Sequence, residues 1–185
     1  MTLTEFLSWD PGDPSGRTWQ LTDGEPVAMA PGSETHGAMQ SEISRLLGNH
    51  LIEQRILCRV LTEPGIVPRV HANRNFRVPD VGVTCAPPSH GLMMPEPLLL
   101  IEILYPTNEA ETRSNIWTYT TVPSVQAILA VHSTRIEAEL FRRSADGTWP
   151  AEPVIIPADG ILTLVSVAFS VPLASLYRTT ALAIP

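Results

Sequence analysis

Apolar positions along this chain follow two periods, and each period marks an element. Met39, Ile43, Leu46, Leu47 and Leu51 recur at helical spacing, which predicts one helix with a single apolar stripe. Pro31-Gly32 breaks the chain just before it, and Ser33 or Thr35 is placed to cap its start. The helix is expected to run to about Gln54. Upstream, a short helix or turn fits Thr4–Ser8. Thr18–Thr22 and Glu25–Ala30 flank Asp23-Gly24 and read as a hairpin.

Downstream the pattern turns to strands. Leu57–Glu63 and Ile66–Val70 read as strands, with His71–Asn75 as a loop. Phe76–Thr84 and Leu98–Leu104 read as the two central strands. The second is apolar on both faces, as in a strand buried between layers. Pro106-Thr107-Asn108 ends it. A short helix fits Glu111–Thr121, stopped by Pro123, and strands follow at Val125–His132 and Arg135–Phe141. A last pair is expected near Val154–Ile156 and Ile161–Val165. Mixed strands with one long and one short helix predict an α/β domain with a central sheet flanked by helices. At 185 residues the chain fits one such domain, spanning 1–185.

Composition narrows the chemistry. All 12 basic residues are arginine, so a P-loop ATPase, a Schiff-base enzyme and a lysine general base are excluded. The net charge is −7, yet residues 55–77 carry five arginines against Glu63 alone. This stretch, with Arg69, Arg74 and Arg77, is the candidate for meeting a phosphate backbone; a solvated arginine-rich loop is the alternative. Cys58 and Cys85 read as two ordinary thiols in a reducing cytoplasm. No apolar run reaches membrane-helix length, and Met1–Asp10 has no secretory pattern. Gly-x-Ser-x-Gly and Gly-x-Gly-x-x-Gly are both absent.

The sharpest anomaly is a pair of acids in strands otherwise built for burial. Asp80 follows Val78-Pro79, and Glu102 stands alone in a run of Leu and Ile. A buried carboxylate costs several kcal/mol unless it is paired or binds a metal. On adjacent strands the two converge on one divalent cation, with Mg²⁺ or Mn²⁺ suited to hard oxygen ligands. Alternatively Glu102 caps a neighbouring element or pairs with Arg113. Period-2 alternation sends Arg77 to the face opposite Asp80. His36 in the first turn of the long helix, Glu42 beside its stripe, Glu63 at a strand end and Glu25 in the hairpin are further polar candidates, each also an ordinary surface group.

In order along the chain stand Asp23-Gly24-Glu25-Pro26-Val27-Ala28-Met29-Ala30-Pro31, His36, Val78-Pro79-Asp80, Leu100-Ile101-Glu102-Ile103-Leu104 with Pro106-Thr107, then Tyr119 and Val122-Pro123. This ordered set resembles the bacterial restriction-endonuclease family called Uma-two, placed in the PD-(D/E)XK nuclease superfamily. The resemblance covers roughly residues 20–135. It implies a restriction-endonuclease-like fold with Asp80 and Glu102 as metal-binding acids, Glu42 as the helix acid, and roles for Glu25 and His36. Where relatives often carry a lysine, four residues before the tyrosine, stands Asn115. Where other superfamily members keep one, two residues after the glutamate, stands Leu104. Arg113 is the nearby cation, but guanidinium is a poor base.

Two functions from different classes follow. One is a Mg²⁺- or Mn²⁺-dependent endonuclease acting on DNA, slowed or silenced by the missing lysine. The other is a catalytically inactive interaction or regulatory module on the same fold. A third reading has both acids satisfied by arginines without metal. The apolar fraction of 44% against 17% charged suggests a homodimer, because a monomer would leave an apolar patch exposed.

Overall fold

Ser33 starts the longest element by accepting a hydrogen bond from the His36 amide, so the first turn of the helix is capped by a side chain. The computed structural model describes residues 1–106 and 109–183. In chain order it contains α1 (Leu3–Leu7), β1 (Trp19–Thr22), β2 (Glu25–Ala28), α2 (Glu34–Glu53), β3 (Arg59–Thr62), β4 (Val81–Thr84), β5 (Pro97–Leu104), α3 (Glu109–Tyr119), β6 (Ala127–His132), β7 (Ala138–Arg142), β8 (Val154–Ile156), β9 (Ile161–Leu164) and β10 (Phe169–Pro172). The expected strand stop at Pro106-Thr107-Asn108 lies partly outside the described residues.

Six strands form one mixed sheet in the order β3-β4-β5-β6-β7-β8. Among the described residues only β5 and β6 of this sheet run parallel, as α3 carries the chain across between them. Side chains alternate across β5. Leu99, Ile101 and Ile103 pack with Met39, Ile43, Leu47 and Leu51 of α2. Leu100 and Leu104 face the other way, against Ile116 and Tyr119 of α3. One strand is thus apolar on both faces because each face is roofed by a helix.

β4 pairs with β5 in antiparallel register, with Val81 opposite Ile101. Continuing that register by one step sets Asp80 beside Glu102. The predicted strand Phe76–Thr84 is shortened to Val81–Thr84 because Pro79 has no amide to donate to a ladder. Residues before it make single bridges instead, Phe76 to Leu21 and Arg77 to Ile66. The predicted strand Ile66–Val70 reduces to that bridge and the one between Gly65 and Met93. The β1–β2 hairpin docks on this segment, where Leu21, Phe76 and Val78 form a small core with Phe6. Its turn uses Asp23 at φ 50° and Gly24 at φ 90°, the backbone that a two-residue hairpin needs.

Strands form at both of the last expected places, Val154–Ile156 and Ile161–Leu164, but in different sheets. β8 adds to β7 at the sheet edge, while β9 pairs with β10. The chain reverses through a 3₁₀ turn at Val165–Val167 and Ala168 at φ 51°. This lets Leu162, Leu164 and Phe169 join the α2-side core. Cys58 and Cys85 are not free thiols but a disulfide. Arg59 lies opposite Thr84, so the next pair outward places the two cysteines face to face. The cytoplasmic expectation loses the support it drew from reduced thiols. Among the described residues no helix is long and apolar enough to cross a membrane.

Leu47 is 1% exposed in the layer between α2 and the sheet. Leu47→Ala is expected to lower unfolding free energy by about 2–5 kcal/mol, measured by urea titration with an unchanged m-value.

Candidate active site

The cleft that holds the acid pair has a volume of about 640 Å³. The sheet forms its floor, the start of α2 one wall and α3 another. Asp80 and Glu102 are each 5% exposed. Among the described residues no arginine makes an ion pair or hydrogen bond with either acid, so the reading in which arginines satisfy both does not hold. The Asp80 carboxylate is fixed at both oxygens. Oδ2 accepts the Ile103 amide at 2.6 Å, and Oδ1 lies 2.9 Å from His36 Nε2. Glu102 Oε1 accepts the Tyr119 hydroxyl at 2.7 Å.

Electrostatics follow from this crowding. Burial, and next the charge of Asp80, push the Glu102 carboxyl well above the usual carboxylate range. Tyr119 is also pushed up, by burial and then by Glu102, so its hydroxyl stays a donor. The hydrogen bond to Asp80 raises His36 above the ordinary histidine value. Two buried carboxylates side by side, one of them driven toward protonation, suit a hard divalent cation that removes their repulsion. Such a cation takes one or two carboxylates and completes its shell with water and phosphate oxygens. Among the described residues no cluster of three or more His, Cys, Asp or Glu side chains is arranged to hold a metal, so water or substrate would fill the remaining positions.

Other predicted residues divide between the cleft and the rest of the molecule. His36, Glu63 and Asn115 line the cleft with the two acids. Glu63 accepts the Thr18 hydroxyl at 3.1 Å, and its amide donates to the Asp80 carbonyl at 3.0 Å. Asn115 is buried near Glu102 and donates to Gln20 at 3.4 Å. Glu42 is a correction. It is buried on α2 but turned away from the cleft, where Arg45 and Arg178 hold its carboxylate. Glu25 is exposed at the hairpin turn opposite Thr22 and does not reach the cleft.

The arginines are redistributed as well. Arg77 is 3% exposed, and its Nη1 donates to the Leu21 carbonyl at 2.7 Å and to Thr22. It anchors the hairpin and cannot meet a phosphate backbone. Arg74 lies against Gly24, and Arg69 is exposed beside Thr121; neither lines the cleft. Arg113 pairs with Glu139 at 2.9 Å and Glu109 at 2.7 Å, not with Glu102.

Several cleft residues were not legible. Gln40 donates to the Asp80 carbonyl at 2.9 Å; its position one turn after His36 is a signal that could have found it. Gln20 accepts the Val78 amide at 3.1 Å and donates to Glu111 at 3.4 Å. Nothing local in the hairpin predicts that partner. A larger apolar cavity of about 730 Å³, lined by Ile66, Met93, Met94, Pro97 and Val122, holds neither acid of the pair.

Arg113 holds the Glu139 carboxyl below the usual range, with His132 adding to the effect. A depressed folded-state pKa gives stability that is present above the unfolded value and lost as pH falls through the folded one. Thermal unfolding between pH 6 and pH 3 is expected to show that loss below about pH 4.5. Glu139→Gln should flatten this part of the profile.

Comparison with known proteins bears on what this cleft belongs to. A solved structure titled as a putative nuclease belonging to DUF820, from Anabaena variabilis, superposes with a TM-score of 0.78. The match covers 96% of this chain and 98% of that one at 18% identity, so the fold is shared. An uncharacterized protein of Synechocystis sp. is 30% identical over 148 residues, covering 78% of this chain and 75% of its own. The model of the Uma2 family, described as "Putative restriction endonuclease", matches residues 3–173. The match spans the hairpin, the acid-bearing strands and both cleft helices, and the chain belongs to the Uma2 family.

Proposed function

We propose that this protein is a divalent-metal-dependent nuclease that hydrolyses DNA phosphodiester bonds, working slowly for want of a lysine. The observation that carries the reading is the Asp80–Glu102 pair. Two buried carboxylates, one pushed toward protonation, are unfavourable for the fold and useful for a hard cation. Bound Mg²⁺ or Mn²⁺ would supply charge opposite a phosphate oxygen and acidify a water.

The chain's own residues set up that chemistry. The Ile103 amide and His36 Nε2 fix the Asp80 carboxylate. Tyr119 does the same for Glu102, so both acids meet a cation without losing side-chain freedom at that step. Asn115 beside Glu102 can hold a water by hydrogen bonding but supplies no charge. Leu104 packs in the apolar layer under α3 and contributes none either. The interaction-module reading shares this fold and differs only in turnover.

Pairing of two copies belongs to the same proposal. Val154, Ile155 and Ile161 are 62%, 51% and 57% exposed at the β8 end of the molecule, and this supports it. Sedimentation at micromolar concentration is expected to give a species near twice 20.2 kDa; a monomer alone would remove this part.

Calorimetric titration with Mn²⁺ is expected to show binding that Asp80→Asn reduces at least tenfold, as for loss of a charged ligand. Incubation with DNA and Mg²⁺ or Mn²⁺ should give slow cleavage. Asn115→Lys should raise the rate, by roughly 10²-fold if the added charge acts on the reacting phosphate. A folded, metal-loaded Asn115→Lys that leaves every DNA substrate uncut would transfer the assignment to the interaction module.

A further inference from the structure

A nuclease cleft must hold a phosphate, and this one is lined by four carboxylates, Glu63, Asp80, Glu102 and Glu111. Without a compensating cation on the protein, that wall repels the substrate strand. The chain has no lysine, so the cation has to be arginine or histidine. Of the twelve arginines, Arg17 alone lines the cleft. The other arginines are outside it or already engaged, and His36 in the lining is held by Asp80. Arg45 and Arg178 hold Glu42, Arg113 holds Glu139, and Arg77 is buried under the hairpin.

The geometry of Arg17 suits a ligand. Its Nε donates to Asp13 Oδ2 at 2.7 Å, and its guanidinium carbon lies 5.8 Å from the centre of the Trp19 ring. One edge of the guanidinium and one face are therefore fixed. Among the described residues neither Nη1 nor Nη2 has a hydrogen-bond partner. The side chain is 46% exposed, so it is held but not sealed. Beside it Gly16 sits at φ 68° with no atom within 4 Å of where a Cβ would stand. The backbone just before Arg17 is open to a bulky group.

We infer that Arg17 is the substrate-positioning residue of the cleft, gripping a phosphate of the bound strand through its two Nη groups opposite the Asp80–Glu102 pair. A planar fork matches two phosphate oxygens, which an ammonium could not do as specifically. This assignment rests on the nuclease reading above. It also moves the phosphate contact from the 55–77 stretch to the loop before β1.

Binding of a fluorescein-labelled DNA duplex, with Ca²⁺ present and NaCl varied, tests it by anisotropy. Arg17→Gln is expected to weaken binding roughly tenfold, the loss of one charge-assisted contact. It should also lower the slope of log affinity against log salt by about one. Arg69→Gln and Arg74→Gln should leave both quantities unchanged. If Arg17→Gln does not fold, Arg17→Lys carries the test: the slope stays while affinity falls at least threefold, because charge remains and the fork is lost. A wild-type protein that binds no duplex at any salt overturns the nuclease reading and this inference with it. Wild-type binding that Arg17→Gln or Arg17→Lys leaves intact, or that Arg69→Gln or Arg74→Gln weakens equally, overturns the inference alone.

Discussion

Two acids side by side near the middle of a sheet impose a cost, and much of the local structure answers it. Asp80, one residue before β4, lies beside Glu102 of β5, and each is almost wholly buried. Burial, and next the charge of its neighbour, drives the Glu102 carboxyl toward protonation. The surroundings then supply an amide and a titratable imidazole for Asp80, and a phenol for Glu102. No arginine enters. Both acids are thus held in place, and Glu102, oriented by a neutral phenol, is the one left driven toward protonation.

Elements far apart in the sequence converge to build this arrangement. α2 delivers His36 and Gln40 from its first two turns while its stripe packs on the sheet. α3 delivers Asn115 and Tyr119 from one face, and its span between parallel strands fixes its height above Glu102. The hairpin closes the third side through Gln20, whose carbonyl caps the Val78 amide that Pro79 leaves next to a broken ladder. Arg77 serves that docking and not the ligand, since its guanidinium holds the hairpin backbone.

Much of this could be read from residue pattern, and the failures have physical reasons. The α2 stripe and the doubly apolar β5 are strong periodic signals, and they make Glu102 conspicuous as an exception. Asp80 was legible as its partner because both acids sit in short apolar segments. Glu42 misled because a helical wheel shows which residues border a stripe but not which edge faces a cleft; the edge chosen is that of His36 and Gln40. Gln20, Gln40 and Arg17 depend on contacts between distant segments, for which local periodicity carries no information. The cysteine pair is hidden in the sequence for the same reason, since only the β3–β4 register makes the two neighbours. The pairing of β9 with β10 turned on the reversal at Ala168, which has no glycine to announce it.

That disulfide closes a covalent ring that contains both Glu63 and Asp80, with the cysteines 27 residues apart in sequence. The ring ties together the outer ends of β3 and β4, while the Glu63 amide bonds the Asp80 carbonyl at their inner ends. Closing a loop of this length removes on the order of 3–4 kcal/mol of entropy from the unfolded chain. The ribbon that presents Asp80 is thereby staked at the sheet edge, where strands otherwise fray first. Only one short element, β3, then separates the acid-bearing strand from solvent. The oxidation state of two cysteines well away from the cleft becomes a factor in how firmly one wall of that cleft is held.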